Sequence, residues 1–550
     1  MKILIIIILI VFVQVIQAQS FMWAKRSGGP SSDASKCVVS DVQGNSYVTG
    51  RFKGPATFES QTIYSTGAND LYVAKYSSTG NLLWVKQAGS TSQYGHIVGR
   101  AVDVNSNGDV FVTGDYDSTI NFGSGLSISA NGHASDIFVA KYNSSGLIQW
   151  VISCGGTEHD FVDDIIVDES GNSFITGQFY GNAQFGPFNL VSGGWADVFL
   201  AKLNFSGNFQ WAKKGGGSNF DAAYGSAFDN SGNLIITGTF TSSALFGSIS
   251  FTANGAAAFI LKYDNNGNAL SGLQSSGNTD GVWPTDIAVS ASNEIYICGF
   301  YYQNIQFGTI NLFSAGINDC FIAKINTALN WEWAKSGGGT NYDYFEALSL
   351  LENGNVYTVG SFSSTANFNG INLVSSGNTD IVFAGYESNG NIAWAIRTGN
   401  TGIDHGNGIS IASNNYIFFT GEFSGNTIFP PNIQLTSNGE EDSFLARLDS
   451  LVVFVQNKQT RIPDNFSLSQ NYPNPFNPKT KIQFSIPWTS NVNLTVYDIL
   501  GREISVLVNE ELKAGNYNAD FDAGDLSSGI YFYKIIAGDF NETKKMILVR

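Results

Sequence analysis

The stretch DIFVAKYNSSGLIQWVISCGG, residues 136–156, decides the fold because variants of it recur along the chain. Successive copies lie about 61 residues apart, and together they extend from residue 21 to residue 450. A glycine ends a short apolar run in each copy: Gly50, Gly114, Gly177, Gly238, Gly299, Gly360 and Gly421. A phenylalanine follows each of these glycines after eight residues, from Phe58 to Phe429. The chain is therefore an array of seven repeats.

Each repeat has the pattern of antiparallel β-strands. Apolar and polar positions alternate in segments such as DLYVAKY at 70–76, and turn sequences such as SSTGN and NSSGL separate the segments. About four strands are expected in each repeat. Four-stranded units that repeat radially form a β-propeller. The sequence therefore predicts an all-β fold with a seven-bladed β-propeller.

The two ends of the array indicate how the ring closes. The seventh repeat has no tryptophan after Arg447, whereas an unpartnered copy of the tryptophan segment, FMWAKRSGG, occupies residues 21–29. We therefore expect Trp23 and its neighbours to form the outermost strand of the last blade, beside Asp442 to Leu448. This closure would remove an exposed strand edge.

The repeats resemble the SBBP family of β-propeller repeats across residues 21–450. The resemblance rests on the recurring WAK…GG, TG, FG and DxFVAK elements. Members of that family are often exported, and most have no assigned activity. The resemblance therefore implies a propeller and export, and it does not name a ligand.

The N-terminus predicts a secretory signal peptide at residues 1–18. One lysine precedes the apolar run Ile3 to Val13, and small and polar residues end the segment at Gln17 and Ala18. The propeller is then expected at 19–450. No other segment has the length of a transmembrane helix, so we expect a soluble, exported chain.

The repeat pattern stops near Ser450. Residues 451–464 are predicted to be a linker, and residues 465–550 to be a small Ig-like β-sandwich, because several strand-like segments such as Lys481 to Ile486 follow one another there. Prolines cluster just before these segments, in NYPNPFNPKT at 471–480. A second domain therefore begins here.

This second domain resembles the type A C-terminal sorting domain of type IX secretion. The motif residues that carry the resemblance are Asn471, Tyr472, Pro473, Asn474, Pro475, Phe476, Gly501, Gly529, Tyr531 and Lys544. The resemblance implies that the type IX machinery is a partner and that the chain crosses the outer membrane. It also implies release into the medium or attachment to the cell surface.

Composition restricts the remaining partners. The net charge is -17 and only 13% of residues are charged, which argues against nucleic acid and anionic membranes as ligands. Cations, basic proteins and neutral sugars remain. We expect a monomer without a cofactor. The four cysteines are too few to form a disulfide framework; Cys298 and Cys320 are either bridged or, like the others, small buried thiols.

The variable loops supply a candidate ligand site. The connections between repeats, and those between the second and third strands, differ in length and share one face of the predicted propeller. The loops of that face contain Tyr94, His96, His133, His159 and Asp160, and imidazole and carboxylate groups can share a transition metal. The alternative is that these are solvated loop residues, because they have no motif spacing.

The same loops carry recurring aspartates. One set lies between repeats (Asp33, Asp160, Asp221, Asp343, Asp404), and a second begins the third strands (Asp70, Asp136, Asp197, Asp319, Asp380, Asp442). They form either an acidic rim that attracts Ca²⁺ or a basic partner, or structural acceptors of backbone N–H bonds.

Three functions fit these features. The first is an exported propeller that binds a glycan or protein, and the second is a structural surface protein without a specific ligand. The third is a polysaccharide-active hydrolase or lyase, which needs acid and base groups converging near the axis of the ring. No catalytic motif is present in the sequence, so we expect no enzymatic activity.

Overall fold

The computed structural model describes residues 20–132, 134–277, 281–449, 465–524 and 526–549. The predicted signal peptide and linker lie outside the described residues. Those residues form strands, turns and bends without an α-helix, which confirms the all-β prediction. Contacts divide the chain into two compact units, Met1–Ser450 and Leu451–Arg550.

The described residues of the first unit form thirty-six strands. The early ones are β1 (Phe21–Gly28), β2 (Ala34–Ser40), β3 (Ser46–Phe52), β4 (Pro55–Phe58), β5 (Gln61–Tyr64), β6 (Asp70–Tyr76), β7 (Leu82–Ser90), β8 (Ile97–Val104), β9 (Val110–Tyr116), β10 (Thr119–Gly123), β11 (Leu126–Ser129), β12 (Asp136–Tyr142) and β13 (Ile148–Gly156). The central ones are β14 (Asp160–Val167), β15 (Ser173–Phe179), β16 (Asn182–Phe185), β17 (Phe188–Val191), β18 (Asp197–Leu203), β19 (Phe209–Gly215), β20 (Ala222–Phe228), β21 (Leu234–Phe246), β22 (Ile249–Tyr263) and β23 (Ala269–Gln274). The late ones are β24 (Val282–Val289), β25 (Ile295–Phe307), β26 (Ile310–Ile325), β27 (Trp331–Gly339), β28 (Asp343–Leu350), β29 (Val356–Phe362), β30 (Thr365–Phe368), β31 (Ile371–Val374), β32 (Asp380–Tyr386), β33 (Ile392–Thr398), β34 (His405–Ile411), β35 (Tyr416–Phe429) and β36 (Ile433–Asp449).

Every repeat forms one antiparallel four-stranded set. The sets are β2-β3-β6-β7, β8-β9-β12-β13, β14-β15-β18-β19, β20-β21-β22-β23, β24-β25-β26-β27, β28-β29-β32-β33 and β34-β35-β36-β1. We call the first strand of each set the inner strand. Each inner strand contacts the inner strand of the next set, and β34 contacts β2. The sets therefore follow one another around a common axis in a propeller-like arrangement.

The N-terminal strand completes the seventh set. Strand β1 pairs antiparallel with β36, with Trp23 opposite Arg447 and Ser27 opposite Ser443. This is the pairing that the unpartnered tryptophan segment predicts. The Phe21 ring contacts Phe383 and Phe429 edge-on, at centroid distances of 5.1 and 5.3 Å. The first described strand of the unit is therefore packed against its last repeats.

The connection between the second and third strands of a repeat is a further hairpin, which the four-strand prediction missed. Four repeats have separate hairpins (β4–β5, β10–β11, β16–β17, β30–β31), and in the other three the ends of long strands form them. Strand β10 pairs with β7, β16 with β13, β30 with β27, and β4 with β1. Each of these hairpins thus adds strands to the sheet of the preceding repeat.

The recurring phenylalanine of the sequence lies in this hairpin. Phe185 is fully buried, with its ring centroid 4.8 Å from that of Phe199. Phe58, Phe122, Phe246, Phe307, Phe368 and Phe429 are each at most 4% exposed. The constant spacing from glycine to phenylalanine therefore fixes where each hairpin folds back. All four cysteines of the unit are free thiols.

The second unit contains two antiparallel sheets. Its strands are β37 (Ser467–Leu468), β38 (Lys479–Ile486), β39 (Ser490–Tyr497), β40 (Glu503–Leu512), β41 (Gly515–Asp522), β42 (Gly529–Ala537) and β43 (Phe540–Leu548). One sheet has the order β37-β38-β41 and the other β40-β39-β42-β43. Side chains from both sheets, among them Ile482, Phe484, Leu494, Tyr533 and Met546, form one buried core.

Candidate functional site

The inter-repeat aspartates are buried structural acceptors. Asp33, Asp160, Asp221, Asp343 and Asp404 are each at most 1% exposed. Asp160 Oδ2 accepts the N–H of Gly156 at 2.7 Å, and Oδ1 accepts that of Tyr180 at 3.3 Å. Asp221 binds the N–H groups of Gly217 and Thr241 in the same way. Each carboxylate therefore joins the end of one repeat to the second strand of the next.

The aspartates that begin the third strands are buried too. Ser376 donates its N–H to Asp380 at 2.9 Å, and Asn438 donates to Asp442 at 2.8 Å. Asp442 also pairs with Arg26 at 2.8 Å. Such burial favours the structural interpretation of both sets. Among the described residues, no group of three or more His, Cys, Asp or Glu side chains is placed to hold a metal, and the calcium role stays a prediction.

The predicted histidine site has only part of its residues in the described chain. His133 lies outside it. His96 and His159 are exposed and occupy equivalent positions just before β8 and β14. The Nδ1 atom of His96 lies 2.9 Å from the Asn69 amide, and that of His159 accepts the N–H of Ser135 at 3.2 Å.

Tyr94 and Asp160 complete the predicted set. Tyr94 is 77% exposed, whereas Asp160 is buried with both oxygens bonded to backbone. The ring of His159 stacks on Phe161, with 5.8 Å between centroids. A ligand site at these five residues stays a prediction, since the geometry gives each described member a local partner or leaves it in solvent.

An open groove of about 460 Å³ lies at the base of the loop that carries Tyr94 and His96. It is lined by Thr66, Gln87, Gly89, Ser90, Thr91, Asn121 and Gly123. No titratable side chain lines it. The groove therefore offers only neutral hydrogen-bonding groups.

The inner strands present a second set of polar side chains, which the sequence did not single out. The pairing of every inner strand with its neighbour skips one residue, so each carries a β-bulge. The bulged residues are Lys36, Arg100, Asp163, Tyr224, Thr285, Glu346 and Asn407. We call them the axial ring. Bulges re-aim side chains and recur beside functional sites.

Charged members of the axial ring interact across repeats. Lys36 Nζ lies 3.5 Å from Glu422 Oε2 of the seventh repeat. Burial raises the pKa of Glu346, an effect that Lys36 opposes and Glu422 reinforces. Glu346 belongs to the sixth repeat and Lys36 to the first, so these side chains converge toward the axis. His405 lies beside them, and burial lowers its pKa while Glu422 opposes that shift.

The second and third repeats extend this charged region. Arg100 Nε donates to Asp115 Oδ1 at 2.6 Å. Burial raises the pKa of Asp163 to about 7, although Arg100 lowers it, and the neighbouring Asp115 adds to the rise. We call Lys36, Arg100, Asp115, Asp163, Glu346 and Glu422 the charged arc. It contains both signs of charge within partly buried surroundings.

The other side of the axial ring is aromatic. Trp283 and Phe300 stack at 5.4 Å with an interplanar angle of 12°. Tyr344 meets Phe300 edge-on at 4.8 Å, and Tyr342 stacks on Tyr344 at 6.2 Å. We call the set Phe161, Tyr180, Tyr224, Trp283, Phe300, Tyr302, Tyr342 and Tyr344 the aromatic arc; all of its members are partly or largely exposed. It spans the third to sixth repeats.

Three buried carboxylates lie further along the inner strands. Asp103 accepts the N–H of Val167 at 2.7 Å, and Asp286 accepts that of Leu348 at 2.8 Å. Asp164 likewise accepts the N–H of Ser226 at 2.8 Å. Burial raises the pKa values of Asp103 and Asp286 to about 7 despite these bonds. These carboxylates join neighbouring inner strands and are structural.

Residues 470–549 match the family model described as the secretion system C-terminal sorting domain. The second unit is a secretion sorting domain. This confirms the predicted C-terminal sorting domain, and it indicates export across the outer membrane, to the cell surface or the extracellular space; its type A class and Ig-like fold stay predictions. Among the described residues, no helix has the length and apolarity that a membrane crossing requires.

The proline-rich motif of the sorting domain is mainly structural. The backbone N–H of Asn471 donates to the Tyr533 hydroxyl at 2.8 Å, and Phe476 is buried in the core. The N–H of Phe476 donates to Ile547 O at 2.9 Å, which attaches the motif to β43. Tyr472, in contrast, is 83% exposed.

Two curated relatives match parts of the chain. An uncharacterized WD repeat-containing protein of Acanthamoeba polyphaga mimivirus is 25% identical over 335 residues, 49% of this chain and 24% of the relative. The regulatory protein FlaEY of Caulobacter vibrioides is 27% identical over 146 residues, 26% of this chain and 15% of the relative. The chain thus spans about a quarter or less of the length of these relatives.

Two solved structures also show similarity. PorZ, described as an essential surface component of the type IX secretion system of Porphyromonas gingivalis, is 10% identical, with 94% of this chain and 81% of that chain covered and a TM-score of 0.23. A putative gluconolactonase is 12% identical, with 61% and 94% covered and a TM-score of 0.26. Because both TM-scores are low, the fold is assigned from the strand pairing of this chain and not from these two structures.

Proposed function

We propose that this protein is an exported, seven-bladed β-propeller of the SBBP type that binds a glycan at the axial ring. Seven four-stranded sets with inner strands in cyclic contact support the blade number. The two sheets of the sorting domain support an Ig-like sandwich, and the predicted signal peptide fits its export role. The type IX machinery is the proposed partner of that domain.

The observation that carries the ligand assignment is the juxtaposition of two unlike arcs at the axial ring. Sugars stack their C–H faces on aromatic rings, and their hydroxyl groups bind carboxylates, guanidinium and amide groups. The aromatic arc and the charged arc supply both kinds of contact on adjoining inner strands. Inner strands are equivalent in the repeats, yet these side chains differ from one repeat to the next, as a specific site requires.

A glycan array with the full chain tests this proposal. We expect Tyr342→Ala and Trp283→Ala each to weaken binding about fivefold, because a stacked aromatic contact contributes ~1 kcal/mol. His96→Ala is the matched control: an exposed side chain outside both arcs, which should leave binding unchanged. Near-ultraviolet circular dichroism verifies that each variant is folded.

The array also separates the alternatives. Binding lost in His96→Ala but kept in Tyr342→Ala would contradict the axial site and favour the predicted histidine loops. Absence of any glycan or protein ligand would favour a structural surface protein.

A polysaccharide hydrolase is the second candidate, because one specific observation favours it. The carboxyl groups of Glu346 and Glu422 have unlike surroundings: burial raises the pKa of Glu346, whereas Glu422 pairs with Lys36. A buried carboxyl group whose pKa is raised, such as that of Glu346, can act as a proton donor. Release of new reducing ends from a bound glycan would support this candidate.

A further inference from the structure

Five of the seven junctions between repeats bring two aspartates against one glycine. The sets are Asp442 and Asp33 at Gly28, Asp136 and Asp160 at Gly155, Asp197 and Asp221 at Gly216, Asp319 and Asp343 at Gly338, and Asp380 and Asp404 at Gly399. The glycines have φ values from +139° to +153°, which side chains rarely adopt. A Cβ on Gly155 would lie 2.4 Å from Asp136 Oδ1 and 2.9 Å from Asp160 Oδ2. Gly28, Gly155, Gly216 and Gly338 therefore leave space for two adjacent carboxyl groups, and Gly399 leaves space for that of Asp380.

One oxygen in most of these pairs has no donor. Oδ1 of Asp136, Asp197, Asp380 and Asp442 is buried without a hydrogen-bond partner among the described residues. These residues are at most 2% exposed. An unpaired buried oxygen is costly, and two adjacent buried carboxylates repel each other when both are ionised. A proton on one carboxyl group of each pair would remove both of these costs.

We propose that each of the four pairs with an unpaired oxygen shares one proton taken up from solvent, which forms an O–H···O bond between the two carboxyl groups. The aspartate that lies between the repeats carries the proton and donates it to Oδ1 of the aspartate that begins the third strand. At Gly155, Asp160 is the donor and Asp136 Oδ1 the acceptor. This bond satisfies the unpaired oxygen and removes the repulsion in one step.

Of the two junctions without a pair, the one that keeps a single aspartate, Asp70, supports this assignment. At this junction Ile97 stands where the other repeats have the inter-repeat aspartate, opposite Asp70. The N–H of Thr66 donates to Asp70 Oδ2 at 2.8 Å, and the N–H of Gly67 donates to Oδ1 at 3.0 Å. Both oxygens of this single aspartate are satisfied by backbone. An unpaired oxygen therefore occurs in four of the five pairs and not at Asp70.

The surroundings of Asp136 and Asp160 favour the neutral form. Burial raises the pKa of Asp160 to about 7 and that of Asp136 to about 6, although nearby N–H groups lower both. Glu158 and Asp136 add to the shift at Asp160, and the neighbouring thiol of Cys154 and phenol of Tyr116 are uncharged acids. The exposed His159 bonds to Ser135 instead. Ion pairs such as that of Arg26 with Asp442 have no counterpart at this junction in the described chain.

The sign of the pH dependence follows. Both carboxyl groups have folded pKa values above the ordinary 3.8, so the folded state retains protons that the unfolded state releases. Stability is therefore greatest below about pH 4 to 5 for these groups, falls as pH rises through about 6 to 7, and is flat above. These junctions therefore stabilise the folded chain more at acidic pH than at neutral or basic pH.

Thermal unfolding of the full chain from about pH 5 to about pH 8 tests the proposal. In Asp136→Asn the amide oxygen keeps the bond from Asn131, and the amide NH₂ replaces the shared proton at Oδ1. We expect the Tm difference between the two pH values to shrink by ~2 °C or more, with no loss of Tm at the higher pH. The matched control Asp70→Asn should lower Tm at both pH values. Parallel pH curves for wild type and Asp136→Asn would overturn the proposal.

Infrared spectroscopy supplies a readout that does not depend on stability. Wild-type chain near pH 6 should show the C=O band of protonated carboxylic acids, and Asp136→Asn should show less of it. Asp70→Asn should keep the wild-type band. A band that is absent from the wild type, or equal in Asp136→Asn, would contradict the shared proton even where the variant unfolds.

Discussion

At the scale of single residues, glycine and aspartate act together at the junctions. The glycine pair at the end of four of the tryptophan strands has two structural roles, illustrated by Gly338 and Gly339. Gly338 has a φ of +153° and faces Asp319 and Asp343, whereas Gly339 lies against the carbonyl of Thr365 and donates its N–H to Asp343. The recurring GG element therefore marks a junction where backbone and carboxylates approach too closely for a side chain.

Gly338→Ala should lower the free energy of unfolding by about 3 kcal/mol or more, because its Cβ would lie 2.7 Å from Asp319 Cγ and the backbone disfavours any side chain there. Gly232→Ala is the control: its φ is +74°, but nothing lies within 4 Å of the added Cβ. We expect that variant to cost about 1 kcal/mol. Urea unfolding measures both, and equal losses would show that the carboxylates do not crowd Gly338.

The candidate site was only partly predictable at this scale. The sequence places function on the loop face and treats the recurring aspartates as structural acceptors or a rim, and the burial of Asp160 and Asp221 favours the acceptors. It missed the axial ring, because a β-bulge shifts the alternation of each inner strand by one residue. One feature of the sequence could have revealed the axial ring. At one aligned position the repeats carry unlike side chains, among them Lys36, Asp163, Tyr224 and Glu346, whereas most aligned positions carry similar residues.

At the scale of strands and hairpins, neighbouring repeats are interlocked. A hairpin from one repeat extends the sheet of the preceding repeat, so an outer strand such as β13 is covered by β16. Covering outer strands in this way hides edges that otherwise favour aggregation. The alternating pattern predicts the four main strands of each repeat. It does not reveal the hairpins, because their strands are only about four residues long and half exposed.

Phe185→Ala should destabilise the propeller-like unit by about 3–5 kcal/mol, since the fully buried ring packs between Phe199 and Phe209 where the hairpin meets the sheet. Val191→Ala in the same hairpin is 51% exposed and should change stability by about 0.5 kcal/mol or less. Chemical denaturation compares the two variants. Equal effects would mean that the hairpin contributes little to the fold.

At the scale of the whole molecule, the chain combines a unit built of repeats with a sorting domain for export. The sorting domain keeps its own core, and its motif residues Asn471 and Phe476 hold the first segment against the last strand. The sequence predicts both units, because a repeat period and a terminal motif are long-range patterns that many residues share. Ligand identity is different, since a few side chains at unlike positions determine it.

A chain that ends at residue 464 should remain inside the outer membrane of a bacterium with the type IX system, whereas the full chain should reach the surface or the medium. Fractionation followed by immunoblotting measures the distribution. Phe476→Ala, which removes a buried ring from the sorting domain alone, should reduce export as well. Export of the truncated chain at the wild-type level would contradict the role of this domain.

The pairing of β1 with β36 also sets an order of events. A ribosome makes Phe21–Gly28 first and Ile433–Asp449 more than 400 residues later, yet these strands belong to one sheet. At synthesis rates of about 5–20 residues per second, the first strand waits tens of seconds for its partner. Until then the edge of β1 that pairs with β36 is open, whereas its end at Ser27 and Gly28 can pair with β4 as soon as Pro55–Phe58 is made. Chaperone dependence should therefore be greatest for nascent chains that lack only the final repeat.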